Sequence, residues 1–295
     1  MNASVPFVAE VASGTPVSRG YWSRVLRRLA HDPLSMACFV VLLLIVLGAV
    51  FAPWLAPGDP AVGSVLKRLK PIGTPGHLLG TDELGRDMLT RLLYGGRTTL
   101  LMGTVPVGLA LVIGGSLGML AGYAGGRINA VIMRITDVLF AFPSVLLAVA
   151  IAGALGAGLA NTLLALTIVL IPPILRIAES ATTQVRALDF IEAARASGAN
   201  DFTILRVHVL SNVLGPVLVY AASLLSVSII MAAGLSFIGL GAKPPTPEWG
   251  LMLNTLRNAL YSQPLLAALP GVQIFAVSLC FNLLADGLRS AMEVK

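Results

Sequence analysis

The chain has 295 residues, of which 56% are hydrophobic and 12% are charged. A soluble domain carries about 25% charged residues and must expose much of its surface to water. The composition therefore excludes a cytosolic globular enzyme, a nucleic-acid-binding domain and a disordered scaffold. The formal charge of +6 comes from 20 basic and 14 acidic side chains. In so apolar a chain, this excess is typical of the signals that orient a membrane protein.

The first 34 residues precede the membrane spans. We expect residues 1–18 to be disordered and no signal peptide to be cleaved, because the first apolar run begins late and is too long. Residues 20–31 place Tyr21 and Trp22 among Arg24, Arg27 and Arg28. This mixture of aromatic and basic residues predicts a helix that lies in the plane of the membrane interface.

Five stretches contain no Asp, Glu, Lys or Arg, and each is long enough for a membrane helix of about 20 residues. Residues 138–175 can hold two helices, joined by a tight glycine-rich reversal at 152–161. Residues 207–242 hold one helix and a remainder, 234–241, whose three glycines predict a surface-dipping or re-entrant segment. The sequence thus predicts an all-α membrane protein with six transmembrane helices, near 36–55, 99–123, 138–154, 160–176, 211–233 and 265–285.

The distribution of basic residues predicts that both ends of the chain are cytoplasmic. With six spans in that orientation, 12 of the 20 basic residues lie inside, including a cluster just before the first span. The predicted organisation is a cytoplasmic tail with an interfacial helix (1–34), a first transmembrane helix with an external loop (35–97), and a core of five helices (98–295). That core contains a cytoplasmic loop, 176–208.

The residues needed for several kinds of chemistry are missing from the sequence. No span carries an ionisable residue at mid-depth, as proton- and sodium-coupled carriers usually do, and there is no catalytic constellation and no phosphate-binding loop. Cys38 and Cys280 lie in apolar runs and are predicted to be packing residues, and the three histidines lack metal-ligand spacing. These absences disfavour a secondary carrier or channel and a membrane enzyme. They predict no cofactor, and an energy source on another polypeptide.

The loop 176–208 is the most informative segment. Ala178–Ser197 is predicted as one helix, because its apolar residues recur on one face. Gly198 can adopt the left-handed conformation that ends a helix, and Asn200 or Asp201 can cap the next one. A second short helix, Phe202–His208, is then expected to lead into the fifth span.

Two interpretations of this loop remain open from its pattern alone. It could be an amphipathic connector resting on the membrane, in a chain that is simply a structural scaffold. It could instead be a docking element for a partner, in which Glu192 offers a carboxylate while Ala193 and Ala194 leave the backbone approachable.

Gly114, Gly118 and Gly122 recur every four residues in the second span and allow another helix to approach closely. That helix could belong to this chain, which is the safer interpretation, or to a partner subunit. Outside the membrane, Thr81–Tyr94 is predicted to be an amphipathic helix in which Asp87 and Arg91 pair at i, i+4. It could support the interface or receive a partner. The stiff, proline-rich residues 244–249 could form part of an outer gate.

Five blocks of sequence, in order, resemble one known family. Glu192-Ala193-Ala194-x-x-x-Gly198 resembles the E-A-A-x-x-x-G signature of permease subunits of binding-protein-dependent ABC importers. Three further blocks resemble the dipeptide/oligopeptide branch of that family: residues 79–87, 234–241 with 244–252, and 281–289. The fifth, residues 31–34 with 52–60, resembles the N-terminal extension of the branch's C-type subunit. One departure is Ser211, which stands where the family usually has a proline, and its amide could straighten the chain that leads into span five.

The resemblance implies a type I ABC importer permease in a bacterial inner membrane. Its implied partners are a second homologous permease subunit, two ATP-binding subunits, an extracytoplasmic substrate-binding protein and the surrounding lipid. The residues that match the signature, Glu192, Ala193, Ala194 and Gly198, together with Asp201, would couple this chain to an ATP-binding subunit. ATP would be bound by those partners, peptides would be the cargo, and this chain would be non-catalytic.

Overall fold

A computed structural model describes residues 20–56 and 58–292, and the predicted disorder of residues 1–18 lies outside this part of the chain. The described chain is mostly helical, with short 3-10 helices at Val65–Lys67 and Arg257–Tyr261 and a π-helix at Ile204–Val209. Its α-helices are, in order, α1 (Tyr21–His31), α2 (Pro33–Val50), α3 (Ala52–Leu55), α4 (Met88–Ala124), α5 (Gly126–Phe140), α6 (Ser144–Leu155), α7 (Leu159–Arg186), α8 (Asp189–Ala196), α9 (Asp201–Thr203), α10 (Leu210–Phe237), α11 (Trp249–Thr255) and α12 (Pro264–Met292).

The described residues contain five helices that are long and apolar enough to cross a membrane, and a sixth span if the bent pair α5–α6 is counted as one. The six-span prediction is confirmed in that sense. The prediction of one continuous helix at 138–154 is wrong, because the chain bends by 87° between Phe140 and Ser144. Pro143 precedes α6, and a proline disfavours helical geometry at the residue before it.

Helices α4, α7, α10 and α12 are all longer than the sequence predicted, and α4 and α7 exceed their predicted lengths most. Helix α4 has 37 residues and α7 has 28, which corresponds to about 55 Å and about 42 Å at 1.5 Å per residue. The hydrocarbon core is only about 30 Å thick, so both helices extend beyond it. The predicted span 99–123 began after Arg97, and the predicted span 160–176 ended at Arg176. The helical backbone continues through both of these charged residues.

Helices α4 and α7 are in close backbone contact along the glycines of α4. A Cβ atom at Gly114 would lie 2.8 Å from the carbonyl oxygen of Ile171, and one at Gly122 would lie 2.6 Å from that of Glu179. A Cβ at Gly118 would stand closer still to the backbone of the intervening turn. The two helices therefore run in the same direction, and the glycines serve contact within the chain.

The buried apolar residues form clusters at successive depths of the bundle. One cluster contains Met88 and Trp249, the first residues of α4 and α11, and also Cys38 and Cys280. Both cysteines are free thiols and buried, which confirms their predicted role in packing. Another cluster gathers the second halves of α4 and α7 and the first half of α10. Near the N-terminus, the predicted helix at 20–31 is present as α1, and its Val25 is buried.

The segment that leads into α4 is helical over only part of the predicted range 81–94. The prediction for Thr81–Tyr94 is wrong up to Asp87, because the Asp87 carboxylate accepts the Thr90 backbone N–H (2.8 Å) and so fixes the start of α4 at Met88. Asp87 also contacts His77, at 3.1 Å. The predicted Asp87–Arg91 side-chain pair is absent, since the Arg91 Nε lies 3.1 Å from a carboxylate oxygen of Asp82 instead.

The glycine-rich segment 234–241 is divided between the end of α10 and the turn that follows it. Its first four residues complete α10, and the remainder turns, with Gly239 at φ +87°. The following proline-rich loop ends at Glu248, which is fully buried. The Glu248 carboxylate accepts the N–H groups of Gly250 and Leu251, each at 2.8 Å, and so caps α11. Helix α10 supplies the one span within residues 207–242, so that prediction is confirmed. The predicted separate surface-dipping or re-entrant segment at 234–241 is wrong for its first half, which belongs to α10.

We expect Gly118→Ala to destabilise the protein, because its methyl group would meet the α7 backbone, which cannot move without separating the helices. Overpacking of this kind lowers the free energy of unfolding by about 1–3 kcal/mol. The measurement is thermal unfolding of the purified protein in detergent. Gly115→Ala is the matched control, since a Cβ there meets nothing within 4 Å. Equal unfolding temperatures for the two variants would contradict the packing described for α4 and α7.

Burial raises the pKa of the Glu248 carboxyl above its ordinary value, although its two backbone hydrogen bonds oppose the shift. A carboxyl whose pKa is raised by folding binds its proton more tightly in the folded state, so the free energy of unfolding falls as the pH rises through that range. We expect the wild-type unfolding temperature to decrease more steeply than that of Glu248→Gln as the pH rises above the ordinary carboxyl pKa of about 4.3. Parallel pH profiles for the two proteins would refute this assignment.

Candidate functional site

The segment that joins α7 to α10 begins with a break that the sequence did not reveal. Ala178–Ser197 is not one helix, because α7 ends at Arg186 and α8 begins at Asp189, with Leu188 in an extended conformation (ψ 143°). The break turns α8 so that Ile191 is fully buried against the bundle. Apolar residues recur at helical spacing on both sides of the break, so periodicity alone could not locate it.

The glycine corner at the end of α8 has the predicted geometry. Gly198 has a φ of +84°; its N–H donates to the Arg195 carbonyl oxygen (2.9 Å), and the Ala199 N–H donates to that of Ala194 (3.1 Å). This pair of bonds is the Schellman motif, in which a left-handed residue ends a helix. The Asn200 side chain then accepts the Thr203 N–H at 2.8 Å and caps α9. The corner and the cap are therefore confirmed.

The second short helix is not a separate rod. Instead of an independent helix at Phe202–His208, the chain passes from α9 through the π-helix directly into α10, and Asp201–Phe237 forms one continuous helical segment. Ser211, at the position of the missing proline, donates its hydroxyl to the Val207 carbonyl oxygen (2.8 Å). Ser211 therefore lies in the first turn of α10, directly after the wider π-helical turns of Ile204–Val209. A displacement of the corner is thus carried directly into the fifth span.

Three elements of the bundle meet behind the corner. The Tyr123 hydroxyl, near the end of α4, donates to an Asp201 carboxylate oxygen at 2.6 Å. The Arg195 guanidinium of α8 lies 5.4 Å from the centre of the Tyr123 ring, a distance at which a cation is attracted to the ring face. Tyr123 thereby joins the ends of α4, α8 and α9. The sequence gave no indication of this contact, because residues 123 and 201 are far apart along the chain.

The predicted signature residues lie together on this helix and its corner. Glu192 and Ala193 are exposed, Ala194 is half-buried, and Gly198 has open space around its Cα. Within residues 20–56 and 58–292, the side chain of Glu192 makes no hydrogen bond or ion pair. Asp201 differs from the other predicted residues, because its carboxylate has the partner Tyr123 inside the chain.

Exposed apolar side chains flank the signature and were missed by the sequence analysis. Phe202 is 70% exposed, and three more such residues surround α8 and the π-helix: Leu188, Phe190 and Val207. Two phenylalanines, at positions 190 and 202, close to the charged signature residues were the available signal. Together with Glu192, these side chains form a surface of mixed apolar and acidic character that the chain itself leaves uncovered. We call residues 188–207 the coupling surface.

Comparison with known proteins identifies the family. Residues 114–294 match the family described as binding-protein-dependent transport system inner membrane component, and residues 20–71 match the N-terminal transmembrane domain of oligopeptide transport permease C. The chain belongs to the family of binding-protein-dependent transport system inner membrane components. The resemblance inferred from the five sequence blocks is therefore confirmed.

Relatives match this permease over nearly their whole length. It is 42% identical to the glutathione transport system permease protein GsiD of Pectobacterium atrosepticum, covering 100% of this chain and 96% of that protein. It is 42% identical to the di/tripeptide transport system permease protein DppC of Pseudomonas aeruginosa (90% and 89%). It is 40% identical to the probable D,D-dipeptide transport system permease protein DdpC of Escherichia coli (92% and 91%).

A solved structure supports the fold class. The MetNI methionine ABC transporter in an inward-facing conformation matches with a TM-score of 0.57 and 21% identity, over 69% of this chain and 97% of the matched chain. At that identity the likeness concerns the fold alone. It confirms the predicted all-α permease fold.

We expect Tyr123→Phe to lower the free energy of unfolding by about 1 kcal/mol, because the substitution removes the hydrogen bond to Asp201 and keeps the ring. Thermal unfolding in detergent measures the change. Tyr220→Phe is the control, since the Tyr220 hydroxyl makes no hydrogen bond to the residues that the structure describes. If both variants unfold at the wild-type temperature, Tyr123 does not hold the corner.

Proposed function

We propose that this chain is the permease subunit of a bacterial ABC importer for peptides, and that the coupling surface receives the mechanical work of ATP hydrolysis. The observation that carries the proposal is the glycine corner with its exposed signature residues, which stands at the junction of two spans of a family member. The names of the relatives support the class of cargo, since they are permeases for glutathione, di- and tripeptides and D,D-dipeptides.

The assembly that we infer contains a second, homologous permease subunit, two ATP-binding subunits and an extracytoplasmic substrate-binding protein. The chain lies in the inner membrane with both termini in the cytoplasm, as the distribution of basic residues favours. In this orientation the coupling surface faces the cytoplasm, where the ATP-binding subunits are, and the 51–87 and 242–263 segments face the binding protein. The chain performs no chemistry and binds no nucleotide.

The docking step uses the coupling surface as a projecting element. Phe202 and the neighbouring apolar side chains fill a groove on the ATP-binding subunit, and the Glu192 carboxylate pairs with a basic or hydrogen-bond-donating group there. Such a combination of an aromatic anchor and a charged contact is typical of the residues that dominate binding energy at protein interfaces. Ala193 and Ala194 allow the partner to approach the backbone of α8.

Transmission follows from the way the corner is attached. Because α9, the π-helix and α10 are continuous, closure of the ATP-binding subunits tilts the fifth span together with the corner. Helix α7 moves with α8 through the short link at 187–188, and α4 moves with both through Tyr123. The inner ends of three spans thus respond as one body, and access to the pathway alternates.

We expect Gly198→Val to reduce peptide transport and transport-stimulated ATP hydrolysis by at least about tenfold, while membrane insertion stays normal. A β-branched residue at a φ of +84° is strained by about 1–2 kcal/mol, so the corner changes its angle. The cause is the backbone alone, because a Cβ at this position meets nothing within 4 Å. The measurement is peptide uptake and ATPase activity of the reconstituted complex.

Gly198→Asn is the matched control, since asparagine tolerates the left-handed conformation better than other residues. We expect it to retain most of the wild-type coupling. Full transport by the valine variant, or equal loss in both variants, would refute the claim that the corner angle carries the signal.

A further inference from the structure

The two charges that bound the longest uncharged run of the sequence form an ion pair with each other. Residues 138–175 contain no charged side chain, and the structure brings Asp137 and Arg176, on either side of this run, together at 2.6 Å between the Asp137 carboxylate and the Arg176 Nη2. The Arg176 guanidinium also lies 4.6 Å from the centre of the Phe140 ring. Neither charge makes another hydrogen bond or ion pair within the described part of the chain. Both side chains remain about half exposed, at 50% and 49%.

The pair lies at the end of the apolar run. Arg176 is 17 residues from the start of α7 at Leu159, which is about 26 Å along the helix and near the far edge of a hydrocarbon core of about 30 Å that begins at Leu159. Asp137 precedes the 87° bend and is followed by exposed apolar residues, among them Val138 and Phe142. Charged side chains in and beside membrane spans face the bundle interior or a water-filled cavity, or reach the membrane interface.

Polar contacts between α5 and α7 favour a water-filled cavity. In α5, all of which is described, Thr136 is the one fully buried residue, and Ile132, Met133 and Leu139 are half-buried. At its other end, the Asn129 amide donates to Glu179 on α7 at 2.6 Å. Below Arg176, the same side of α7 continues with exposed polar residues as far as the coupling surface. These are Ser180, Thr183 and Gln184.

We propose that the Asp137–Arg176 pair and the polar strip below it line the translocation pathway, and that the pair receives the charged ends of the peptide as it passes. A guanidinium binds a carboxylate through two parallel hydrogen bonds, so Arg176 meets the C-terminal carboxylate and Asp137 the N-terminal ammonium. A pair with no further polar partners in the chain can exchange its mutual contact for these groups. The inference rests on the proposed function, because it takes a peptide as the cargo.

Cysteine labelling tests the position of the pair. In the assembled complex in membranes, with Cys38 and Cys280 replaced by serine, Asp137→Cys is treated with a membrane-impermeant, charged methanethiosulfonate supplied to both sides. We expect the thiol to react, at a rate that changes at least about threefold between the nucleotide-free and ATP-bound complexes. Leu44→Cys, on the exposed face of α2, is the control and stays unlabelled. An unreactive residue 137 in a complex that still transports peptide would overturn this inference and leave the proposed function standing.

Charge exchange tests the role of the pair. Asp137→Asn and Arg176→Gln are expected to lower peptide transport at least tenfold while the complex still assembles and hydrolyses ATP. The double variant Asp137→Arg/Arg176→Asp restores an ion pair of reversed polarity. If the pair only ties α5 to α7, the double variant recovers transport and the inference is wrong. If each charge meets one end of the peptide, transport stays at the level of the single variants.

Discussion

The close contact between α4 and α7 determines the arrangement of the remaining helices. Lipid tails provide no hydrophobic force that drives apolar helices together, so helices in a membrane associate through packing of small residues and through polar contacts. Gly114, Gly118 and Gly122 let the α4 backbone reach the carbonyl groups of α7. This contact brings Tyr123 to the corner after α8 and places the start of α5 beside Glu179. The coupling surface and the polar strip therefore both depend on one glycine-lined seam.

The coupling surface combines a fixed shape with direct attachment to the spans. The Schellman turn at Gly198 and the Asn200 cap define its angle with local hydrogen bonds. Burial of Ile191 and Ile204 fixes it to the bundle. Because the helix does not end between Asp201 and Phe237, the corner is joined to the fifth span without an intervening loop, although Pro216 lies inside α10. The π-helical turn allows the corner and the fifth span to be continuous although the backbone is locally widened.

Features that depend on local chemistry could be predicted from the sequence. The spans followed from apolar runs. The corner followed from Gly198, because glycine adopts the left-handed conformation that ends a helix, and from Asn200, because asparagine caps the start of a helix. Tertiary contacts could not be predicted in the same way. The break at 187–188 depends on what the chain packs against, whereas Pro143 was a local signal for the break at 141–143. Asp87 bonds to Thr90 and His77 in place of the expected Arg91. The Asp137–Arg176 pair was hidden because its members are separated by two spans.

The first turns of α4 are held by buried polar contacts. There the Trp249 indole N–H donates to the Leu92 carbonyl oxygen at 2.9 Å, and the buried Glu248 accepts the Thr99 hydroxyl at 3.1 Å. The opposite half of α4 is tied to α7 by the glycine seam and to α9 by the Tyr123–Asp201 hydrogen bond. A rotation of α4 about its Trp249 end therefore displaces α7 with it, and both helices travel furthest at the end that carries Tyr123.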